Sequence, residues 1–148
     1  MSTYSFLDIQ ATLVGPSGSL NLGNGAAIAD EGISIDPAGD KSTMMIGADG
    51  EGMHSLHADK SGTVTVRLLK TSPTNAKLMA MFDMQTTSSA LHGLNLIKVT
   101  NPVSGDVTTA RNCAFKKRPP IKYAKDGDII EWTFDAIKID SILGEYPA

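Results

Sequence analysis

GADGEGMHSLHADKSGTVTVRLLKTSPTNAKLMAMFDM, running without a break from Gly47 to Met84, places a glycine-rich turn, an alternating strand and a capped helix one after another. Thr63 to Leu68 alternates polar and apolar residues, which sends Val64, Val66 and Leu68 to a buried face and Thr63, Thr65 and Arg67 to the other. Ser72 is placed to cap a helix. Pro73 suits its first turn, where the missing N–H has no partner to lose. From Pro73 to about Ser88, Leu78, Met81, Phe82 and Gln85 share a stripe at helical spacing, with Ala80 and Asp83 turned away from it.

Outward from this block the chain reads as short strands separated by turns. Phe6–Val14 is an expected strand with Leu7, Ile9, Ala11 and Leu13 on one side. Gly15-Pro16-Ser17-Gly18 is a turn and Gly23 to Ala27 a loop, followed by a short strand over Glu31–Asp36 and a second turn over Pro37–Asp40. Ser42–Ile46 and Met53–His57 are strands flanking Gly47–Gly52. Beyond the helix, Asn95–Thr100 and Val107–Cys113 pair across Asn101–Asp106. Pro119 and Pro120 interrupt the pattern before a short strand at Ile121–Ala124. The last strand spans Ile129–Ile139, with Ile130, Trp132 and Phe134 on one face and a shift to Ile137 and Ile139, as a bulge produces. The expected fold is mainly β, a sandwich or barrel carrying one α-helix at about 73–88, in a single domain over residues 1–148.

Composition agrees with that expectation. The chain has 148 residues, 14 of them glycine, and only 5% aromatics, which favours turns and polar sheet faces over a large enzyme-like core. A single cysteine, Cys113, rules out an internal disulfide and reads as a small hydrophobe on a strand. No apolar run approaches the roughly 18 residues of a membrane span, and the N-terminus lacks a charged segment leading into an apolar one. The expectation is a soluble chain made in the cytoplasm.

Charge is segregated beneath a net value of −3. Residues 1–59 hold eight acids and one base, a balance of −7; residues 60–125 hold eleven bases and two acids, a balance of +9; residues 126–148 hold six acids and one base, a balance of −5. Such blocks either steer one copy onto another or neutralise each other across neighbouring strands. Both readings are open at this point.

Candidate chemistry is sparse. His54 and His57 lie three apart on an expected strand, so their rings point to opposite faces and do not converge on a metal. Asp49-Gly50-Glu51 lacks the spacing of a calcium loop, and the glycines at 15, 18, 23 and 25 are not followed by the Gly-Lys-Ser/Thr of a phosphate loop. No serine sits in a nucleophile elbow, His92 stands alone, and no nucleophile, base and stabiliser converge. The chain reads as a non-enzyme that needs no cofactor. Lys116-Lys117-Arg118 is the densest basic run; without interleaved aromatics it reads as a solvated turn or an intersubunit contact and not a nucleic-acid patch. Pro37–Ser61 contains four glycines (39, 47, 50 and 52), several charges and little to build a core, which suggests an arm or hairpin leaving the body.

The strand-to-helix block, with FLDIQATLVGP (6–16) before it and GDIIEWTFDAIKID (127–140) after it, resembles the tail tube proteins of contractile-tailed bacteriophages over nearly the whole chain. The resemblance implies a virion protein, made in the host cytoplasm, that forms hexameric rings. The rings stack into a hollow tube inside a contractile sheath, and DNA passes through the bore during ejection. It implies the sheath, tape measure, baseplate and tail terminator proteins as partners beside further copies of the chain. On that footing Asp40, Lys41, Asp49, Glu51, His54 and His57 belong to an intersubunit arm, and Lys116, Lys117 and Arg118 to intersubunit or outer contacts. The alternatives are a type VI secretion tube, a terminator or tube cap, and a monomeric β-sandwich binding module. The last needs an exposed aromatic platform that one Trp, three Tyr and four Phe hardly provide.

Overall fold

The structure, a computed structural model, describes residues 2–23 and 25–147; Asn24 of the expected loop lies outside them, as does the side chain of Glu31. Nine strands and one helix follow in the order β1 (Gln10–Gly15), β2 (Gly18–Asn21), β3 (Ile28–Pro37), β4 (Ser42–Ile46), β5 (Gly52–Leu56), β6 (Gly62–Leu69), α1 (Thr74–Gln85), β7 (Asn95–Asn101), β8 (Asp106–Phe115) and β9 (Ile129–Ile142). Seven of them form one curled, half-barrel sheet in the order β2-β1-β7-β8-β9-β6-β3, with every pair antiparallel; β4 and β5 pair only with each other. The mainly-β reading with one helix is therefore correct. Its form is an open half-barrel and not two stacked sheets.

Alternation fixes which sheet face is covered. Val64, Val66 and Leu68 of β6, Trp132, Phe134 and Ala136 of β9, Ala11 and Leu13 of β1, and Ile97 of β7 are all buried, and α1 adds Leu78 and Met81. At the centre, the Phe115 ring meets Phe134 at 4.7 Å, Phe82 of α1 at 5.6 Å and Trp132 at 5.9 Å, the last two edge-on. Two polar links lock the helix to the sheet. Trp132 Nε1 donates to Asn75 Oδ1 at 3.0 Å, while Asn75 Nδ2 donates to the Leu69 carbonyl at 2.9 Å. Gln85 and Asn95, both 1% exposed, exchange amide hydrogen bonds of 2.9 and 2.7 Å. A Cβ on Gly15 would collide with Asn95 Oδ1, so glycine there is a consequence of that pair.

Several expected boundaries move, each for a local reason. Phe6–Asp8 is a 3₁₀ turn and not the start of a strand, because Ser5 Oγ accepts from the Leu7 amide at 3.1 Å and closes the chain on itself. β3 starts at Ile28, ahead of the expected Glu31, and its pairing with β6 slips between Ile28 and Ile33, where Gly32 takes φ +63°. The helix stops at Gln85, short of Ser88, where the Thr86 and Thr87 hydroxyls bond the Phe82 and Met84 carbonyls at 2.8 and 2.7 Å. Ser72 precedes the N-cap residue Pro73; its hydroxyl donates to the Ala26 carbonyl at 2.7 Å and accepts weakly from the Thr74 amide at 3.3 Å.

Ile121–Ala124 forms no strand, since Pro119-Pro120 cannot enter a ladder. Instead Lys70 holds the segment, donating to the Lys122 carbonyl and lying 3.9 Å from the Tyr123 ring centroid. β9 runs on to Ile142. Its apolar register does shift beyond Ala136, but only to the half-buried Ile139, the expected Ile137 being exposed, and the irregular residue lies on the neighbouring strand: Asn112 of β8 takes φ +54° between buried Ala110 and Cys113.

Two outcomes follow. Changing either Gln85 or Asn95 alone to Leu should cost about 1–3 kcal/mol in urea unfolding, because the remaining amide stays buried without its partner. The double change should cost less than the two losses added together. Cys113 is buried, and desolvation pushes its thiol up to about 11. Native protein at pH 8 should therefore resist maleimide labelling that urea-unfolded protein accepts at once. The raised value also sets a sign: the unfolded thiol ionises first, so this group's contribution is intact below about pH 9 and lost as pH rises towards 11.

Candidate functional site

The β4–β5 hairpin has almost nothing to pack against. Its register places Met44 opposite His54, Met45 opposite Met53 and Ser42 opposite Leu56. Every residue of the two strands is exposed except Ser55, which is half-buried. Met44, Met45, Ile46, Met53 and Leu56 keep between 56% and 85% of their surface in water. The turn at the tip is ordered by its own bonds: Gly47 N–H to the Glu51 carbonyl at 2.7 Å, Gly50 N–H to the Gly47 carbonyl at 3.0 Å, and Glu51 N–H to Asp49 Oδ1 at 3.1 Å. Gly50 takes φ +89°, a conformation that a side chain would strain.

The hairpin's root is fastened more firmly than its length. The Lys41 carbonyl accepts from the His57 amide at 2.8 Å, and Lys41 Nζ donates to the His57 carbonyl at 2.7 Å. Ala38 N–H reaches the Ser61 carbonyl at 3.0 Å, and Ile139 N–H reaches the Lys60 carbonyl at 2.9 Å. Asp140 receives both Lys60 (3.1 Å) and Arg111 (2.7 Å); these bonds, that from Lys60 above all, hold its carboxyl below the usual range. Asp59 is lowered likewise by hydrogen bonds from Ser61. A shallow cleft lined by Ile35, Pro37, Lys41, Ser61 and Ile139 opens beside this root.

The expected arm residues divide by position. Asp40 and Lys41 sit at the root with His57, Asp49 and Glu51 at the tip, and His54 midway on β5. No group of three or more His, Cys, Asp or Glu side chains gathers among the described residues. The apolar residues of the hairpin were missed by a reading that looked for charge. The sequence shows five large apolar residues in two short strands flanked by glycine, but that they stay uncovered is visible only in the fold.

The basic run separates too. Arg118 turns back onto α1, 3.5 Å from Asp83 and with its guanidinium 5.6 Å from the Phe82 ring, while Pro119 is buried behind it. Lys116 and Lys117 remain exposed and make no ion pair among the described residues, although the Lys116 amide is fixed to the Thr133 carbonyl at 2.9 Å. On the sheet face away from α1, Arg67 lies 3.4 Å from Glu131 and donates to Ser34 Oγ at 2.8 Å. No helix among the described residues is long and apolar enough to cross a membrane.

Comparison with known proteins places this geometry. Solved structures of similar fold include the cap of the anti-feeding prophage, a tube-terminating cap (TM-score 0.57, 10% identity, 97% of this chain and 93% of that one). They also include a chain of the PVC sheath-tube complex of an extracellular contractile injection system in the extended state (TM-score 0.59, 15% identity, 95% and 92%). A third is a chain of the PVC sheath/tube terminator in the extended state (TM-score 0.60, 13% identity, 96% and 98%). No curated protein matches the sequence significantly. The profile described as Bacteriophage PhiTE tail tube protein matches residues 1–144. A half-barrel sheet with one helix, an uncovered hairpin and a match over nearly every residue lead to one conclusion: this chain belongs to the bacteriophage tail tube family, a structural family and not one of enzymes.

Proposed function

We propose that this chain forms the inner tube of a contractile phage tail, as six-membered rings that stack and leave a bore through which DNA passes. The observation that carries the reading is the β4–β5 hairpin, a two-stranded unit whose five large apolar side chains face water. A lone hairpin is marginal in water, and this one exposes Met44, Ile46 and Leu56 on one face and Met45 and Met53 on the other, as a segment covered by another molecule does. The hairpin is on this reading an arm ordered by an adjacent copy. The sheet supports the same reading. Its end strands β2 and β3 each have one unpaired side, which invites aggregation in a monomer and provides a join in a closed ring.

The bore also has a physical candidate. The sheet face turned from α1 carries threonines 63, 65 and 133; of its cations, Arg67 and Arg111 are paired to Glu131 and Asp140, while Lys98 and Lys138 make no ion pair among the described residues. Neutralising the two arginines weakens the hold of such a wall on DNA phosphates, which favours passage over binding. Sheath, tape measure, baseplate and terminator proteins complete the tail on this reading.

The similarity to a cap and a terminator favours a second reading, a ring that closes the tube instead of extending it. Growth separates the two: a tube protein gives particles of increasing length, a cap only single rings. Negative-stain microscopy of purified protein, alone or seeded with baseplates, should show rings or tubes about 80–100 Å across, from six domains of roughly 25–30 Å. A 15.6 kDa monomer under every such condition would overturn both readings. Deleting Ala48–Gly52 should leave a folded body by circular dichroism while abolishing tube growth. Normal tubes from the shortened chain would remove the arm from the assembly.

A further inference from the structure

We infer that residues 4–9 form a strap that copies of this chain exchange, the strap of one copy seating in the groove that the same residues fill in a second. The inference rests on the assembly reading above and names a contact that ties neighbouring copies together.

The groove and what fits it are both visible in one copy. Phe6 is half-buried, with its ring edge against Gly32 of β3, where a Cβ would stand 3.8 Å from Phe6 Cε1. Ile33 and Ile35 of β3 and Val99 of β7 line the same depression, together with Tyr4 and Ile9 of the strap. Tyr4 meets Tyr146 edge-on, with ring centroids 6.5 Å apart. The segment bearing Tyr146 is anchored two residues earlier, where the Gly144 amide donates to Asp106 Oδ1 at 2.7 Å. The groove thus has a defined occupant, an aromatic segment of this same chain.

Sheet order separates the strap from its seat. The strap leads directly into β1, beside one edge of the sheet, whereas the seat lies on β3, the opposite edge. Within one copy the curl of the sheet brings the two together. In a ring joined edge to edge, β3 of each copy faces the β2–β1 edge of its neighbour, so the neighbour's strap starts beside the same seat.

The strap is also built to move as a unit. Its shaping hydrogen bonds are internal: the Leu7 amide to Ser5 Oγ at 3.1 Å, the Asp8 amide to the Ser5 carbonyl at 3.2 Å and the Ile9 amide to the Phe6 carbonyl at 3.0 Å. Pivoting after the extended Ile9, it leaves these bonds intact and remakes in the neighbour the Phe6 and Tyr4 contacts it gives up at home. Tyr4 stays 59% exposed in its own seat, so little is lost on release. Exchange of an identical element is a low-cost route to joining copies for this reason.

Tyrosine cross-linking reads the exchange directly. In a Tyr123→Phe protein, Tyr4 and Tyr146 are the two remaining tyrosines. Photo-oxidation of dilute monomer should link them within one chain, which stays at 15.6 kDa on a denaturing gel. In assembled rings or tubes the internal link should give way to a ladder of covalent multimers. Phe6→Ala, folded by circular dichroism, should raise the concentration needed for assembly at least about tenfold, the order expected from truncating one aromatic contact. If particles keep the internal link and give no ladder, or if Phe6→Ala assembles as the unaltered chain does, the strap stays in its own copy and the tube reading stands without the exchange. If the unaltered chain never assembles, even when seeded, the tube reading falls and the exchange with it.

Discussion

A sheet of seven strands offers two broad faces, and the described residues include one α-helix, of twelve residues, with which to cover them. Everything else in the molecule follows from that shortage. The single helix is held where it covers most, over β6, β8 and β9, by the Phe82–Phe115 contact and by Asn75 between Trp132 and the Leu69 carbonyl. Its far end is tied by the buried Gln85–Asn95 amide pair, whose demand for space in turn requires Gly15. The face without a helix has to be tolerable in water or in contact with other molecules, and it is polar accordingly.

The parts of the fold legible in the sequence were those in which one residue's environment is set by its immediate neighbours. β6, β7 and the first half of β9, as far as Ala136, alternate because each has one buried face, and the stripe Leu78, Met81, Phe82, Gln85 marks the side of α1 that meets the sheet. β2 escaped notice because Gly18–Asn21 is too short and polar to show a period. Phe6–Asp8 alternates like a strand, yet Ser5 closes it into a turn, a local hydrogen bond prevailing over an apolar pattern. Lys70 pinning Tyr123 was out of reach, since it joins residues more than fifty apart in the chain. The site was half legible. Glycines and charges outlined the hairpin, while its uncovered methionines acquire meaning only once the rest of the core is known to be full.

Of the two roles left open for the charge blocks, neutralisation across neighbouring strands is visible in the fold. The basic middle block and the acidic C-terminal block meet inside the sheet, at Arg67–Glu131 and around Asp140, where strands lie side by side. These pairs are exposed enough that each contributes little to stability. What they do is neutralise Arg67 and Arg111 on the polar face. The acids of the hairpin tip and the lysines of the 116–117 corner remain outside this arrangement.

The methionines of the hairpin have one more consequence. Met44, Met45 and Met53 are unbranched and thioether-softened, so they adapt to an imperfect surface, but each surrenders about 1.5–2 kcal/mol of rotamer freedom when immobilised. On the proposed arm reading, a joint built from such side chains is forgiving and shallow. A copy seated in the wrong orientation would let go before its neighbours closed around it, whereas a correctly seated one would be retained by the contacts that follow. In a long polymer of identical parts, a weak first handshake is a form of error correction.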